Sequence, residues 1–312
     1  MMTWCLGEQP VLCTKLHHAP ALLLCMVRMA GASGNASADP NPFSGGMYLM
    51  ADSLTASVSD SLFNQSLEKG LAVLGVFDEV HRTLTLNEIA ERAGMSKSSA
   101  QRTVHTLQVL GYVGKHPASR RFRLLPKTVE LGFRYIAGNA MIRIAHPYLS
   151  ELANASGESV TLTEPVGTDM VYVFQLATTK FMPILTPIGI RTPMYCTSAG
   201  RAYLSRLPED QARSLLVQSE RVACTPATLT QVEDIVAAVQ ECRRQGYAVN
   251  CEELFMGDMG IAAPIVNSRG EARGAVHVAP PLSRWSAESA QRTQAPLVME
   301  CARAISAAIG DY

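Results

Sequence analysis

Residues 86–107 constrain this chain more than any other stretch. Leu86, Ile89, Ala90 and Ala93 recur at three- and four-residue intervals and so share one face of a helix. Gly94 follows, a residue that ends a helix cheaply because it has no Cβ to clash in the left-handed region. Met95 is then an apolar plug, and Ser96 is suited to cap a second helix through its hydroxyl. Ala100, Val104 and Leu107 give that helix an inner face. Its outer face carries Lys97, Ser98, Gln101, Arg102 and His105, with no acid from Ser96 to Gly111. Lys and Arg suit phosphates or guanine edges, Gln suits adenine, and Ser serves either role. The helix start adds amides that favour phosphate. A helix-turn-helix that reads double-stranded DNA fits these features. A plain helical hairpin with a solvated basic face fits them too.

The neighbouring segments extend the motif. Leu67, Leu71, Leu74 and Phe77 predict a third amphipathic helix upstream. Downstream, residues 107–113 run from helix to strand, 117–120 form a turn, and Arg121-Phe122-Arg123-Leu124 alternates as a returning strand. Three helices and a two-stranded wing over 61–125 make a winged helix-turn-helix. Its readout is assigned to Lys97, Ser98, Ser99, Gln101, Arg102 and His105, with Arg120 and Arg121 on phosphate. Charge agrees. Residues 61–135 hold eleven Lys/Arg against six Asp/Glu, whereas 136–312 hold fourteen against seventeen. The formal net charge of zero therefore conceals a basic module beside a mildly acidic one.

At 312 residues the chain has room for two domains. None of its eight cysteines forms a CxxC or a zinc-finger spacing with His, so reduced thiols, no metal and no cofactor are expected, as in a cytoplasmic protein. Residues 1–60 read as a disordered leader, with Met47 and Met50 as alternative starts. Its apolar run 21–27 falls far short of the roughly 20 residues that cross a bilayer, so no membrane is expected, and a signal peptide is the lesser reading. Internal repeats, phosphate loops and dinucleotide fingerprints are absent from the sequence.

Beyond the wing, 125–137 predicts a connecting helix able to pack on a copy of itself, and 142–155 another helix with Ile144, Tyr148, Leu149 and Leu152 inward. Strands are expected at 159–164 and 170–176 around a 167–169 turn, with a third leading into 187–193. Helices follow at 198–206, 208–217 and 229–245, then strands at 247–249, 260–266 and 274–279, and a long helix from Ser286 to Ile309. Six strands flanked by helices give an α+β sensor-like domain.

Ordered motifs make the pattern specific. They include Ser66-Leu67-Glu68-Lys69-Gly70-Leu71, the 84–102 stretch, Gly189-Ile190-Arg191-Thr192-Pro193 and Thr197-Ser198-Ala199-Gly200-Arg201-Ala202. Further along stand Arg244-Gln245-Gly246-Tyr247, Gly260-Ile261-Ala262-Ala263-Pro264 and Gly274-Ala275-Val276. From about Ser66 to Gly310 the chain resembles the IclR family of bacterial transcriptional regulators. The resemblance implies a winged helix, a dimerisation linker helix at 126–140, and a GAF-like effector-binding domain at 141–312 with a six-stranded antiparallel sheet. It implies homodimers or tetramers on a pseudo-palindromic operator, repressing or activating catabolic operons in response to small organic, often aromatic, acids. It places the effector pocket at Ser198, Ala199, Gly200, Asn250, Asp258, Met259, Gly260, His277 and Ala279. Asn250 and His277 depart from the pattern of the family's acid-binding members, standing where an acid and a small hydroxyl residue are common.

Other readings of these residues stay open. Ser198–Gly200 is either a plain helix start or a carboxylate site with free amides. His277 is either a satisfied core histidine or a ligand group titrating near neutral pH. Arg191 suits an anion clamp or a surface ion pair, and Tyr172 and Phe174 are expected on one strand face, in the core. Cys196 or Cys251 with His277 would be needed for an enzyme or a metal site, and no motif supports either; the chain is not expected to be an enzyme. A redox sensor would use Cys196 or Cys251.

Overall fold

A computed structural model of the chain describes residues 62–178 and 187–312. The leader expected at 1–60 and the strand expected before Pro187 lie outside the described residues. Helix α1 (Gln65–Gly75) is capped by the Asn64 side chain, which accepts from the Ser66 and Leu67 amides. Helix α2 (Leu86–Arg92) starts with a reciprocal capping box. Thr85 Oγ1 accepts from the Glu88 amide, and the Glu88 carboxylate accepts from the Thr85 amide at 2.6 Å. Gly94, at φ +61°, makes the turn, and Ser96 caps α3 (Lys97–Val109) through the Ser99 amide. Strands β1 (Val113–Lys115) and β2 (Phe122–Leu124) pair antiparallel as the wing, and Leu84 bridges to Phe122. Val73, Val76, Leu84, Ile89, Ala100, Val104, Leu107, Val113 and Phe122 form the core of this unit.

One expected face is different. Helix α1 buries Val73 and the adjoining Val76, while Leu67 and Leu71 are more than half exposed. Its apolar residues, Leu67, Leu71, Val73, Leu74 and Val76, spread over adjoining faces of the helix. Local periodicity cannot tell which face α3 covers.

A 3-10 turn at Pro126–Thr128 leads into α4 (Val129–Gly138), none of whose residues is buried. The end of α4 is tied to the sheet, because the Tyr135 hydroxyl and Asn139 Nδ2 both donate to the Glu164 carboxylate. Asn139 also caps α5 (Ala140–Ser156).

The second unit is built on β3 (Ser159–Val166), β4 (Asp169–Leu176), β5 (Arg191–Pro193), β6 (Ala248–Cys251), β7 (Met259–Val266) and β8 (Ala272–Ala279). They form one antiparallel sheet in the order β5-β4-β3-β8-β7-β6. Strand β5 occupies the end of the 187–193 segment. Helices α5 and α9 (Ala287–Ile309) cover one face, over Val160, Leu162, Ile261, Ala263, Val276 and Val278. Helix α6 (Ser198–Leu204) covers the other, over Ala262 and Ala275, with α7 (Glu209–Gln218) and α8 (Val232–Gln245) packed behind it. The period of two assigns faces almost throughout. One exception is a bulge where β4 meets Leu162 and Thr163 of β3, and another is a register shift at Ile265 and Val266 of β7. The first breaks the alternation expected for Tyr172 and Phe174. Phe174 packs toward α5, edge-on to His146, while Tyr172 turns to the α6 side. Among the described residues no helix is long and apolar enough to cross a membrane.

Candidate functional site

The winged unit presents its basic face on α3. Lys97, Ser98, Gln101, Arg102 and His105 are exposed, opposite the buried Ala100, Val104 and Leu107. Ser99 is half-buried and its amide is used by the Ser96 cap. On the wing, Arg120 is exposed at the turn in the left-handed region, at φ +56°. Arg121 is not presented as expected. Its guanidinium donates to the Thr83 carbonyl at 2.9 Å and to both oxygens of Glu88, at 2.9 and 3.2 Å. It therefore ties the wing to the start of α2 through a partly exposed ion pair. Arg123 and Lys115 are exposed wing cations that the sequence reading passed over. The alternation around Phe122 already points Arg123 outward.

The α6 side of the sheet holds a polar cluster in an otherwise apolar layer. Antiparallel register sets Asn250 opposite Gly260 on β6–β7, and Ala262 opposite His277 on β7–β8. The same face meets the start of α6. Asn250 Oδ1 accepts from the Ser198 amide at 3.2 Å, and Thr197 Oγ1 accepts from the Gly200 amide at 3.2 Å. These two amides are already paired within the protein. What faces inward is side-chain chemistry. A Cβ on Gly260 would lie 2.5 Å from Asn250 Oδ1, 2.6 Å from Ser198 Oγ and 2.7 Å from His277 Nε2. Only glycine fits there, and three polar groups from three elements converge on it. Ser198 Oγ is buried and has no hydrogen-bond partner.

His277 is buried, with Nδ1 3.0 Å from Thr161 Oγ1. Burial pulls its pKa down to about 4, so the imidazole is neutral at neutral pH rather than titrating there. A neutral ring has one donor and one acceptor nitrogen, and Thr161 engages one of them. Tyr172, turned in by the β4 bulge, lies edge-on to His277 with centroids 6.4 Å apart. Burial raises its phenol pKa, and the Asp258 charge raises it further. Asp258, at the entrance to β7, is pushed up to about 6 by burial against the opposing hydrogen bond from the Met259 amide.

The remaining expected pocket residues divide. Met259 is fully buried on the opposite face of the sheet, in the α5–α9 core, because it precedes Gly260 in an alternating strand. Ala199 packs among α6-side apolar residues. Gly200 is a close-approach position, where a Cβ would run into the Met194 backbone. Ala279 is half-buried at the end of β8, two residues beyond His277 and paired with Ser159. Arg191 forms a 2.9 Å ion pair with Asp169. Cys251 packs toward the α5–α9 side, with the sheet between it and His277, so the two cannot act as one catalytic or metal-binding pair.

Two family models match the chain. That described as "IclR helix-turn-helix domain" covers residues 66–117, and "Bacterial transcriptional regulator IclR C-terminal" covers 133–307. The chain belongs to the IclR family of bacterial transcriptional regulators. The Pca regulon regulatory protein of Pseudomonas putida is 31% identical over 254 residues, which are 81% of this chain and 87% of that relative. Transcriptional repressor IclR of Escherichia coli (strain K12) is 28% identical over 248 residues, covering 79% and 90%. The crystal structure of a transcriptional regulator from Alicyclobacillus acidocaldarius superposes with a TM-score of 0.71 at 28% identity, covering 80% of this chain and all of that one. As an IclR-family regulator, the chain combines a DNA-binding helix-turn-helix unit with an effector-binding C-terminal domain.

The IclR-type domain also contains a buried brace that the sequence reading missed. Arg201 donates to both Glu253 oxygens, at 2.5 and 2.6 Å, and to the Tyr195 carbonyl at 3.1 Å. It ties α6 to the β6–β7 connection that carries Asp258. The two residues are 52 positions apart, and no local pattern pairs them.

Proposed function

We propose that this regulator controls a catabolic operon in response to a small organic acid, aromatic by preference, held beside Gly260. The observation that carries this reading is the convergence of Ser198 Oγ, Asn250 Oδ1 and His277 Nε2 on the bare Cα of Gly260. A buried hydroxyl without a partner is costly by itself and favourable once a carboxylate or phenol oxygen accepts from it. Neutral His277 offers a second hydrogen bond without placing a buried positive charge in the site. Tyr172, Ile190 and Phe255 form an apolar group on the same side, suited to an aromatic ring. Met259 has no part in this site.

On DNA, Lys97, Ser98, Ser99, Gln101, Arg102 and His105 read the major groove and Arg120 holds phosphate, with Arg121 acting through the wing. The exposed Val129, Leu131 and Phe133 of α4 support pairing of two copies through the linker helix. A dimer would read two half-sites about one helical turn apart. Effector binding shifts the spacing of the two units, a coupling of typically 1–3 kcal/mol.

A thermal-shift screen with benzoate, hydroxybenzoates and short aliphatic acids tests the ligand class. A true effector stabilises the protein by about 2.7 kcal/mol at a hundredfold excess over its Kd. His277→Ala should erase that shift while leaving effector-free DNA binding intact. An unchanged shift in His277→Ala removes the cluster from effector binding. Footprinting on the chain's own promoter should show two symmetric half-sites, and one asymmetric contact would rule out the dimer.

A further inference from the structure

The segment entering α6 and the connection between α7 and α8 each bring a thiol to one place. Cys196 is fully buried, one residue before the Thr197 cap. Cys224, on the 219–231 connection, is half-buried, its thiol donates to the Val222 carbonyl at 3.7 Å, and it neighbours the Cys196 thiol. Tyr195 pins the two segments together. Its hydroxyl donates to the Val222 carbonyl at 2.7 Å and lies 3.8 Å from Cys224 Sγ. On its other side the connection is held by Thr225 Oγ1 donating to the Glu252 carbonyl at 2.5 Å and Thr228 Oγ1 to the Glu253 carbonyl at 2.6 Å. Both thiols therefore sit on anchored backbone.

The pair is asymmetric. Hydrogen bonds from Cys196 and Tyr195 bring the Cys224 thiol down to about 6, while the same contact and burial push Cys196 up. Burial raises Cys242, Cys251 and Cys301 as well. A solvent-reachable thiolate beside a buried thiol is the arrangement of an attacking and a resolving cysteine.

We propose that Cys196 and Cys224 are a redox-active dithiol, closed to an intramolecular disulfide by hydroperoxides. The Cys224 thiolate attacks one peroxide oxygen, the O–O bond breaks, and the leaving hydroxide or alkoxide takes up the proton that Cys224 had released. Cys224 becomes a sulfenic acid, oxidised by two electrons. The Cys196 sulfur then attacks the sulfenic sulfur, an S–S bond forms, and hydroxide leaves with the Cys196 proton as water. The net change is two thiols and one hydroperoxide to one disulfide, one alcohol (water for hydrogen peroxide) and one water. Because Cys196 directly precedes Thr197 and Ser198, the bond clamps the start of α6 to the 219–231 connection.

The test uses the full chain, reduced, desalted and treated with a few molar equivalents of hydrogen peroxide. Remaining thiols are blocked with N-ethylmaleimide, and the protein is digested without reduction. Trypsin cleavage at Arg191 and Arg201 isolates Cys196, and cleavage at Glu233 by a glutamyl protease separates Cys224 from Cys242. A Cys196–Cys224 linked peptide, two mass units below the sum of its parts, is expected as the first thiol product. Its formation should be at least about tenfold slower at pH 5 than at pH 7.5, as the thiolate is protonated. In Cys196→Ser, Cys224 should accumulate as a dimedone-trappable sulfenic acid. The proposal fails if wild-type protein yields both peptides fully N-ethylmaleimide-labelled after other cysteines have oxidised, or if Cys224 links to a different cysteine. These wild-type readings do not depend on any variant folding.

Discussion

Replacing Ser198 with Ala separates a ligand-binding hydroxyl from a structural one, because the two roles predict opposite signs. Ser198 Oγ is buried and unpartnered in the ligand-free protein. A buried hydroxyl in that state costs roughly 1–3 kcal/mol relative to a satisfied one. Ser198→Ala removes the penalty, while the Ser198 amide keeps its bond to Asn250 Oδ1. Part of the gain is offset by the small void left behind, so the ligand-free protein should be more stable by about 1 kcal/mol. For a domain of this size that is roughly 2–4 °C in Tm. With the effector the sign reverses. A hydrogen bond to a charged acceptor is worth about 1.5–3 kcal/mol, so Kd should rise roughly 10- to 100-fold. Differential scanning calorimetry of the ligand-free protein and titration calorimetry with the effector read the two halves separately. A ligand-free protein destabilised by more than about 1 kcal/mol would mean that the hydroxyl is satisfied internally. Unchanged effector affinity would mean that it lies outside the site. Either result refutes the reasoning.

Three other outcomes follow from the same geometry. Gly260→Ala puts a methyl among three polar atoms at 2.5–2.7 Å, which should destabilise the fold by about 1–3 kcal/mol and abolish effector-dependent stabilisation; a retained thermal shift of wild-type size would place the ligand elsewhere. Asp258 has a folded pKa raised from 3.8 to about 6, so the stability it contributes is fully present below pH 3.8 and lost as pH rises through 6. Asp258→Asn should therefore stabilise by about 2–3 kcal/mol at pH 8 and by almost nothing near pH 4, and denaturant melts giving a pH-independent difference would contradict this. Arg102→Ala should weaken operator binding by roughly 1–3 kcal/mol and relax base preference at one position, whereas wild-type affinity for every fragment would remove α3 from the interface.

Much of the architecture was legible because its causes are local. Gly94 and Ser96 dictate the helix-turn-helix turn within three residues, through a left-handed φ and a side-chain cap. The strands of the second unit read from alternation, and the long closing helix from its apolar period and its Ser286 cap. The face of α1 was not legible, since Leu67, Leu71 and Leu74 repeat at helical spacing, yet packing against α3 buries Val73 and Val76 instead.

The candidate effector site divides the same way. By itself the sequence determined which residue types were available, among them a helix start at Ser198, a glycine at 260 and a histidine on the last strand. Tertiary structure decided how they are used. Ser198 meets Asn250 across 52 residues and His277 meets Thr161 across 116, contacts set by strand register and the placement of α6. Burial made His277 neutral, which no reading of its neighbours in sequence could give. The β4 bulge turned Tyr172 toward the cluster against strict alternation. Glu88 pairs with Arg121 across 33 residues, and Cys196 lies near Cys224 rather than His277. Caps and periodicities act over a few residues and are written locally. Pairing, desolvation and bulges depend on which distant segments the fold brings into contact, and they exist only once the sheet is assembled.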